Sequence, residues 1–247
     1  MTLDELDRLK ARLDALRPLP EATLRSLHDD LVLRWTYHSN AIEGNTLTLM
    51  ETRLVLQDGL TIGGKRLREH FEAINHRDAI EYVMEIVKGG EPFCEWQIRN
   101  IHRLVLKNID DEGAGRYRTS NVLIAGARHT PPDALLLAEL MPAFIRWYEG
   151  EGMGMHPVKR AALVHARFVG IHPFIDRNGR TARLLMNLEL LKSGFPPAVL
   201  PVERRLAYYE ALDKAHVDDD FTDFIQLIAE CCAEGFDPYW RVLGMTR

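Results

Sequence analysis

Residues 172–183 read HPFIDRNGRTAR, and the fold can be worked out from them. The segment leaves one apolar, helix-patterned stretch at about 158–170 and enters another at about 179–193, so it is a loop feeding a helix N-terminus. Pro173 disfavours helical geometry at His172 and turns its imidazole out of the preceding helix. Asn178 and Gly179 are turn residues that let successive backbone N–H groups point into one concavity. The helix that follows adds its unpaired N–H groups and positive dipole end, which together make an anion site. Arg180 and Arg183 are three apart and share a helix face. Two guanidiniums at the mouth of an amide-lined nest point to a polyphosphate. Asp176 is suited to the accompanying Mg2+, a hard ion that prefers carboxylate and phosphate oxygens. Singly, each feature has a plainer explanation: a core histidine, a capping aspartate, arginines paired with surface acids. Together at this spacing they indicate a site.

Outward from this loop the pattern is helical almost throughout. Leu3, Leu6, Leu9, Leu13 and Leu16 recur at spacings of three and four, an amphipathic helix stopped by Pro18 and Pro20. A second helix runs from about Glu21 to Glu43, followed by Gly44, which suits a left-handed terminator. Thr48-Leu-Met-Glu51 has the form of a capping box and opens a third. Further helices are expected over about 67–87, 95–107, 131–148, 203–216 and 221–236. Residues 116–126 differ: Tyr117, Thr119, Val122 and Ile124 favour strands, with glycines on both sides, and predict a short β-hairpin. The expected architecture is all-α, a helical bundle with a small β-hairpin flap. It divides into an N-terminal helical arm (1–30) and a main domain (31–247), with the helix at about 21–44 working with the latter. Trp35, Trp96, Trp147 and Trp240 fall in helical patterns and read as core.

Composition narrows the function classes. Of 247 residues, 46% are hydrophobic and 27% charged, ordinary for a globular protein, and the net charge is -5. Without a cationic stripe, nucleic acid is not expected as a partner. Cys94, Cys231 and Cys232 offer no CxxC spacing and an odd count, so neither a structural zinc site nor a disulfide framework is expected. No run approaches the ~20 apolar residues of a membrane span. The first residues, MTLDELDRLKARLDALRP, lack a signal-peptide apolar run. The chain reads as cytoplasmic. Gly63-Gly-Lys65 lacks P-loop spacing. His76-Arg-Asp78 has the order of a kinase catalytic loop but no asparagine at the required distance and no glycine-rich loop before it. No HExxH occurs, which sets aside metal hydrolysis.

The loop resembles the signature of the Fic family, HPFx(D/E)GNGRxxR, at His172, Pro173, Phe174, Asp176, Asn178, Gly179, Arg180 and Arg183. The resemblance extends to Gly115-Arg-Tyr-Arg118, to the Val122 to Pro132 stretch, to Leu184-Leu-Met-Asn187 and to Gly194 to Pro197. It implies transfer of AMP from ATP to a Ser, Thr or Tyr hydroxyl of a target protein. In that scheme His172 is the general base, and Asp176 holds Mg2+. Asn178 and Gly179 cradle the α-phosphate, Arg180 holds the departing phosphates, and Arg183 grasps the γ-phosphate. Val122, Leu123 and Ile124 would dock the target as an added strand. A homodimer is also suggested by the resemblance.

Ser39-Asn-Ala-Ile-Glu43-Gly-Asn45 closes the second helix, with Ser39 and Glu43 on one face. A carboxylate is badly placed at a negative helix end unless a cation relieves it. The segment is similar to the family's inhibitory motif, (S/T)xxxE(G/N), which implies that Glu43 pairs with Arg183 and blocks γ-phosphate docking. Transfer and removal of AMP are both compatible with it. One position departs from the family: Arg177 stands where glycine is usual. The expectation is that Arg177 points to solvent or tunes the site mildly. The alternatives are altered nucleotide choice, impaired activity, or a non-catalytic, nucleotide-gated interaction protein on the same fold.

Overall fold

The centre of the protein is an antiparallel pair of buried helices joined by the loop at 172–177. In this computed structural model, which describes residues 1–246, the helices in order are α1 (Leu3–Asp14), α2 (Glu21–Ile42), α3 (Leu49–Asp58), α4 (Leu67–Gly89), α5 (Glu95–Leu106), α6 (Leu137–Glu149), α7 (Pro157–Ile171), α8 (Asn178–Lys192), α9 (Arg205–Val217), α10 (Thr222–Glu234) and α11 (Asp237–Val242). α8 is buried on nearly all sides, including Ala182, Leu184, Leu185, Met186, Leu188 and Leu190. A helix enclosed in this way must satisfy its polar residues internally. Glu189 accepts hydrogen bonds from Arg160 Nε and Nη2 at 2.8 and 2.5 Å, from the Ser193 hydroxyl at 2.8 Å and from the Tyr148 hydroxyl at 2.6 Å. Asn187 pairs with the Ala198 backbone in both directions, at 2.8 and 3.2 Å. These contacts fasten α8 to α6, α7 and the loop that follows it.

α7 packs most extensively on α8, with α4 and α5 across the other side and α10 behind α7. α2 lies against α4 and reaches α8 with its C-terminal end. α1 buries Leu6 and Leu13 in the same core and packs on α10. The capping box at Thr48 and Glu51 is present, and Gly44 follows α2 with φ 91°. Cys231 and Cys232 are buried packing residues on α10 with free thiols. No helix among the described residues is long and apolar enough to cross a membrane.

Several expectations are corrected. Among the described residues there is no β-strand, so the flap is not a hairpin. The two arms of 116–133 are held by side chains instead of a backbone ladder. Arg118 Nη1 donates to the Ser120 carbonyl at 3.0 Å and Nη2 to the Pro132 carbonyl at 2.5 Å. Asn121 bridges to Asp133 and to the Ala134 N–H at 3.0 and 2.8 Å. Strand propensity needs a partner edge, and none packs here. Pro131 and Pro132 lie outside any helix, and Asp133 caps a short 3-10 turn before α6. The helix expected over about 221–236 is present as α10, and a further short helix not foreseen, α11, follows it with Pro238 in its first turn. Trp35, Trp147 and Trp240 are buried, but Trp96 is 64% exposed at the start of α5.

Candidate active site

His172 ends α7 in the left-handed region, φ 51° and ψ 58°, with its N–H donating to the Phe168 carbonyl at 3.0 Å. Pro173 alone favours an extended residue here; the structure takes a left-handed helix end, and the ring leaves the helix either way. Arg118 clamps the turn, its Nε donating to the His172 carbonyl and its N–H to the Pro173 carbonyl, each at 2.9 Å. Burial lowers the His172 pKa to about 4; the Val169 carbonyl and Glu43 oppose the shift, while Arg118 and His129 add to it. The imidazole is therefore neutral at physiological pH.

Below it, Phe174 is buried and stacks on His102 with ring centroids 3.6 Å apart. His102 staples the loop: its Nδ1 accepts from the Gly115 N–H at 2.9 Å, and its Nε2 lies 3.0 Å from the Asp176 carbonyl. With Nδ1 an acceptor, Nε2 carries the proton. The Asn178 side chain closes the turn, donating to the Phe174 carbonyl at 2.8 Å and accepting from its N–H at 3.0 Å. It is thus occupied within the loop, and any cradle for an anion is left to the backbone of α8's first turn.

Arg177 takes φ 64° and ψ 15°, an angle at which a side chain costs about 1–2 kcal/mol and glycine nothing. Its side chain does not point to solvent. Only 6% of it is exposed, and Nη2 donates to Glu72 Oε1 at 2.7 Å. Glu72 on α4 is buried and also accepts from Asn45 Nδ2 at 2.8 Å, with Arg180 Nη1 at 3.4 Å. A buried carboxylate draws in counter-ions, and this one draws Arg177 inward. Asp176 stays half exposed, with Oδ1 accepting from the Arg177 N–H at 2.7 Å and Oδ2 facing Arg177 Nη1 at 3.1 Å.

Arg183 uses every nitrogen. Nε donates to Ser39 Oγ at 3.0 Å, and Nη2 to the Ser39 carbonyl at 2.9 Å and to Glu43 Oε1 at 2.8 Å. Nη1 donates to the Tyr208 hydroxyl at 3.1 Å, which lies 3.1 Å from His165 Nε2. Burial keeps the phenol protonated and His165 neutral, so the hydroxyl donates a hydrogen bond to His165 Nε2 and turns a lone pair to Arg183. The Glu43 carboxylate rests on α8's first turn: a Cβ added to Gly179 would stand 2.5 Å from Oε1. Burial pushes the Glu43 pKa up, but Arg183, Arg180 and Arg177 outweigh it and hold the carboxylate below its ordinary value.

His172, Glu43, Gly179 and Tyr208 line a cavity of about 820 Å³. Leu206, Tyr209 and Leu212 contribute apolar lining to it. Ile124 also lines it, Val122 is half-buried, and Leu123 is 84% exposed. The structure thus brings together His172, Asp176, Gly179, Arg180, Arg183, Ser39 and Glu43. Glu72, His102 and Tyr208 were not singled out from sequence, since none lies in a motif.

Residues 92–190 match the Fic/DOC family pattern. The protein adenylyltransferase Fic of Drosophila ananassae is 38% identical over 243 residues, covering 96% of this chain and 48% of that protein. The chain spans about half the length of the curated relatives it matches. Among solved structures, a segment of Fic-1 from C. elegans aligns with a TM-score of 0.87 at 34% identity, over 98% of this chain and 72% of that one. A Fic domain containing signaling protein from Bacteroides thetaiotaomicron aligns at 0.89 and 28%, over 98% and 97%. With the 172–183 loop seated at the cavity and the likeness running almost end to end, this chain belongs to the Fic/DOC family.

Proposed function

We propose that this protein transfers AMP from ATP to a hydroxyl of a target protein, and that Glu43 holds the activity in check. One observation carries the reading: a neutral imidazole and the start of a helix at Gly179 line the same cavity, and a carboxylate of the chain itself, Glu43, lies against that helix start and is held by Arg183 behind it. A site that seats a carboxylate against a helix N-terminus and a buried arginine suits a phosphate. The curated relatives carry the name protein adenylyltransferase.

His172 takes the proton from the attacking hydroxyl. Burial holds the ring neutral, so one of its nitrogens carries no proton and can accept the hydroxyl's. The hydroxyl oxygen attacks the α-phosphorus in line, the bond to the bridging oxygen breaks, and pyrophosphate leaves. The backbone of α8's first turn, from Asn178 and Gly179, cradles the α-phosphate, Arg180 steadies the departing phosphates, and Arg183 holds the γ-phosphate once Glu43 leaves it. Asp176 fits a metal of the kind held by one carboxylate plus phosphate oxygens, and no cluster of three acidic, His or Cys groups competes among the described residues. Mg2+ bound there would neutralise phosphate charge. The N–H groups of Val122, Leu123 and Ile124 have no partner among the described residues, which suits a target backbone laid beside them. A homodimer, with the protein acting in the cytoplasm, completes the reading.

The test is labelling. Glu43→Gly protein incubated with α-labelled ATP and a lysate is expected to label a target more strongly than the parent, and adding His172→Ala is expected to remove the label. A parent and variant that label alike defeat the brake. The buried Arg177 favours a second reading, a nucleotide-gated binder without chemistry; ATP binding by the Glu43→Gly protein with no covalent label would select it.

A further inference from the structure

Arg177 has a side chain at a backbone angle suited to glycine, and that side chain is locked. Its guanidinium is anchored on Glu72 at 2.7 Å and faces Asp176 Oδ2 at 3.1 Å, while its own N–H occupies Oδ1 at 2.7 Å. Arg68 Nη2 adds a further contact to Oδ2 at 3.4 Å. Both oxygens of the carboxylate suited to a metal therefore already face positive groups of the chain. Arg177 cannot swing away cheaply, because Glu72 is only 9% exposed at its side chain and would lose its shortest ion pair.

We propose that Arg177 is a built-in cation that supplies part of the charge a divalent metal would bring to Asp176, so that this chain binds its nucleotide with little dependence on Mg2+. The inference rests on the reading of the cavity as a nucleoside triphosphate site. Two cations sharing one carboxylate repel, and in a partly dry site the repulsion is several times stronger than in water. A fixed guanidinium also offers phosphate a planar, permanently charged donor without any metal. With Glu43 displaced, Arg68, Arg177, Arg180 and Arg183 face only Glu72 and Asp176, so the cluster retains positive charge for the phosphates.

The experiment is calorimetric titration of α,β-methylene-ATP, which cannot release pyrophosphate, in saturating Mg2+ and in EDTA. The proteins are Glu43→Gly, the same with Arg177→Gly, and that double variant with Asp176→Asn. Arg177→Gln in the Glu43→Gly background keeps most of the side-chain volume without the charge, and melting curves check that each variant is folded. The affinity ratio between Mg2+ and EDTA is expected below about threefold for Glu43→Gly, above about tenfold with Arg177→Gly or Arg177→Gln, and back below about threefold with Asp176→Asn. A ratio unaltered by either Arg177 substitution overturns the inference. So does an affinity that rises equally with and without metal, which makes Arg177 a plain obstruction. No binding by any variant under either condition sinks the nucleotide reading, and the inference with it.

Discussion

The Glu43 carboxylate sits on Gly179: Oε1 occupies the space that a side chain at residue 179 would need, 2.5 Å from the ideal Cβ position, while Arg183 Nη2 donates to the same oxygen at 2.8 Å. One carboxylate thus covers the first turn of α8 and engages the buried guanidinium. A ligand phosphate has to displace it to use either.

Removing that competitor sets the first expected outcome. A charge-assisted hydrogen bond contributes roughly 1.5–3 kcal/mol. At about 1.4 kcal/mol per decade, Glu43→Gly is expected to tighten ATP binding about ten- to a hundredfold. Equilibrium titration of ATP against parent and variant checks it, and equal affinities would show that the carboxylate does not compete.

Tyr208→Phe tests the support behind Arg183. The substitution removes the acceptor for Nη1 and the donor to His165 while keeping the ring packed. A buried guanidinium left one acceptor short costs about 1–3 kcal/mol. The variant is expected to melt several degrees lower and, in the Glu43→Gly background, to bind ATP several-fold more weakly. Unchanged melting and affinity would mean that Ser39 alone fixes the guanidinium.

The 172–183 loop was legible because its chemistry is contiguous: base, metal ligand, turn and arginines all fall within one turn and one helix start. Glu43 was legible through its spacing from Ser39. The groups that were not legible act from separate helices. Glu72 lies over a hundred positions from Arg177, and only the packing of α4 against α8 brings them together. His102 reaches the loop from α5, and Tyr208 reaches Arg183 from α9. The position of Arg177 was recognised as unusual, but its direction depends on a buried carboxylate that carries no local signal. The flap was misread because Val122 and Ile124 have strand propensity without a partner edge, and Arg118 and Asn121 hold the segment by side chains instead.

The histidines give the pH dependence. Burial lowers His172 and His102 to about 4 and drives His76 and His165 well below 6.5. Between about pH 4 and 6.5 the unfolded chain binds protons at these sites that the folded chain does not, so stability rises with pH there and levels off above it. Each such histidine contributes up to ~1.4 kcal/mol per pH unit within that window. Denaturant midpoints are expected to fall as the pH is lowered from 6.5 towards 4. In the Glu43→Gly protein the acid limb of the labelling rate is expected below pH 5, since loss of Glu43 removes one influence that raises the His172 pKa. An acid limb near 6.5 would mean an exposed imidazole.

Glu189 separates scaffold from chemistry. It lies on the same helix as Arg183 but beneath the core, wholly buried, with Arg160 on one oxygen and Tyr148 on the other. Removing one partner of a buried pair leaves the other charge without compensation, which costs about 3–5 kcal/mol. Arg160 would keep only backbone carbonyls at 3.1–3.4 Å and the Ser193 hydroxyl at 3.2 Å. Glu189→Ala is therefore expected to lower the unfolding free energy by about that amount, measured by denaturant titration. Its folded fraction should keep the ATP affinity of the parent, because no atom of Glu189 reaches the cavity. Replacing both partners, Glu189→Leu with Arg160→Met, should recover much of the loss, since an apolar pair needs no counter-ion. A double variant no more stable than Glu189→Ala would mean that α8 depends on the hydrogen bonds themselves and not on the balance of charge.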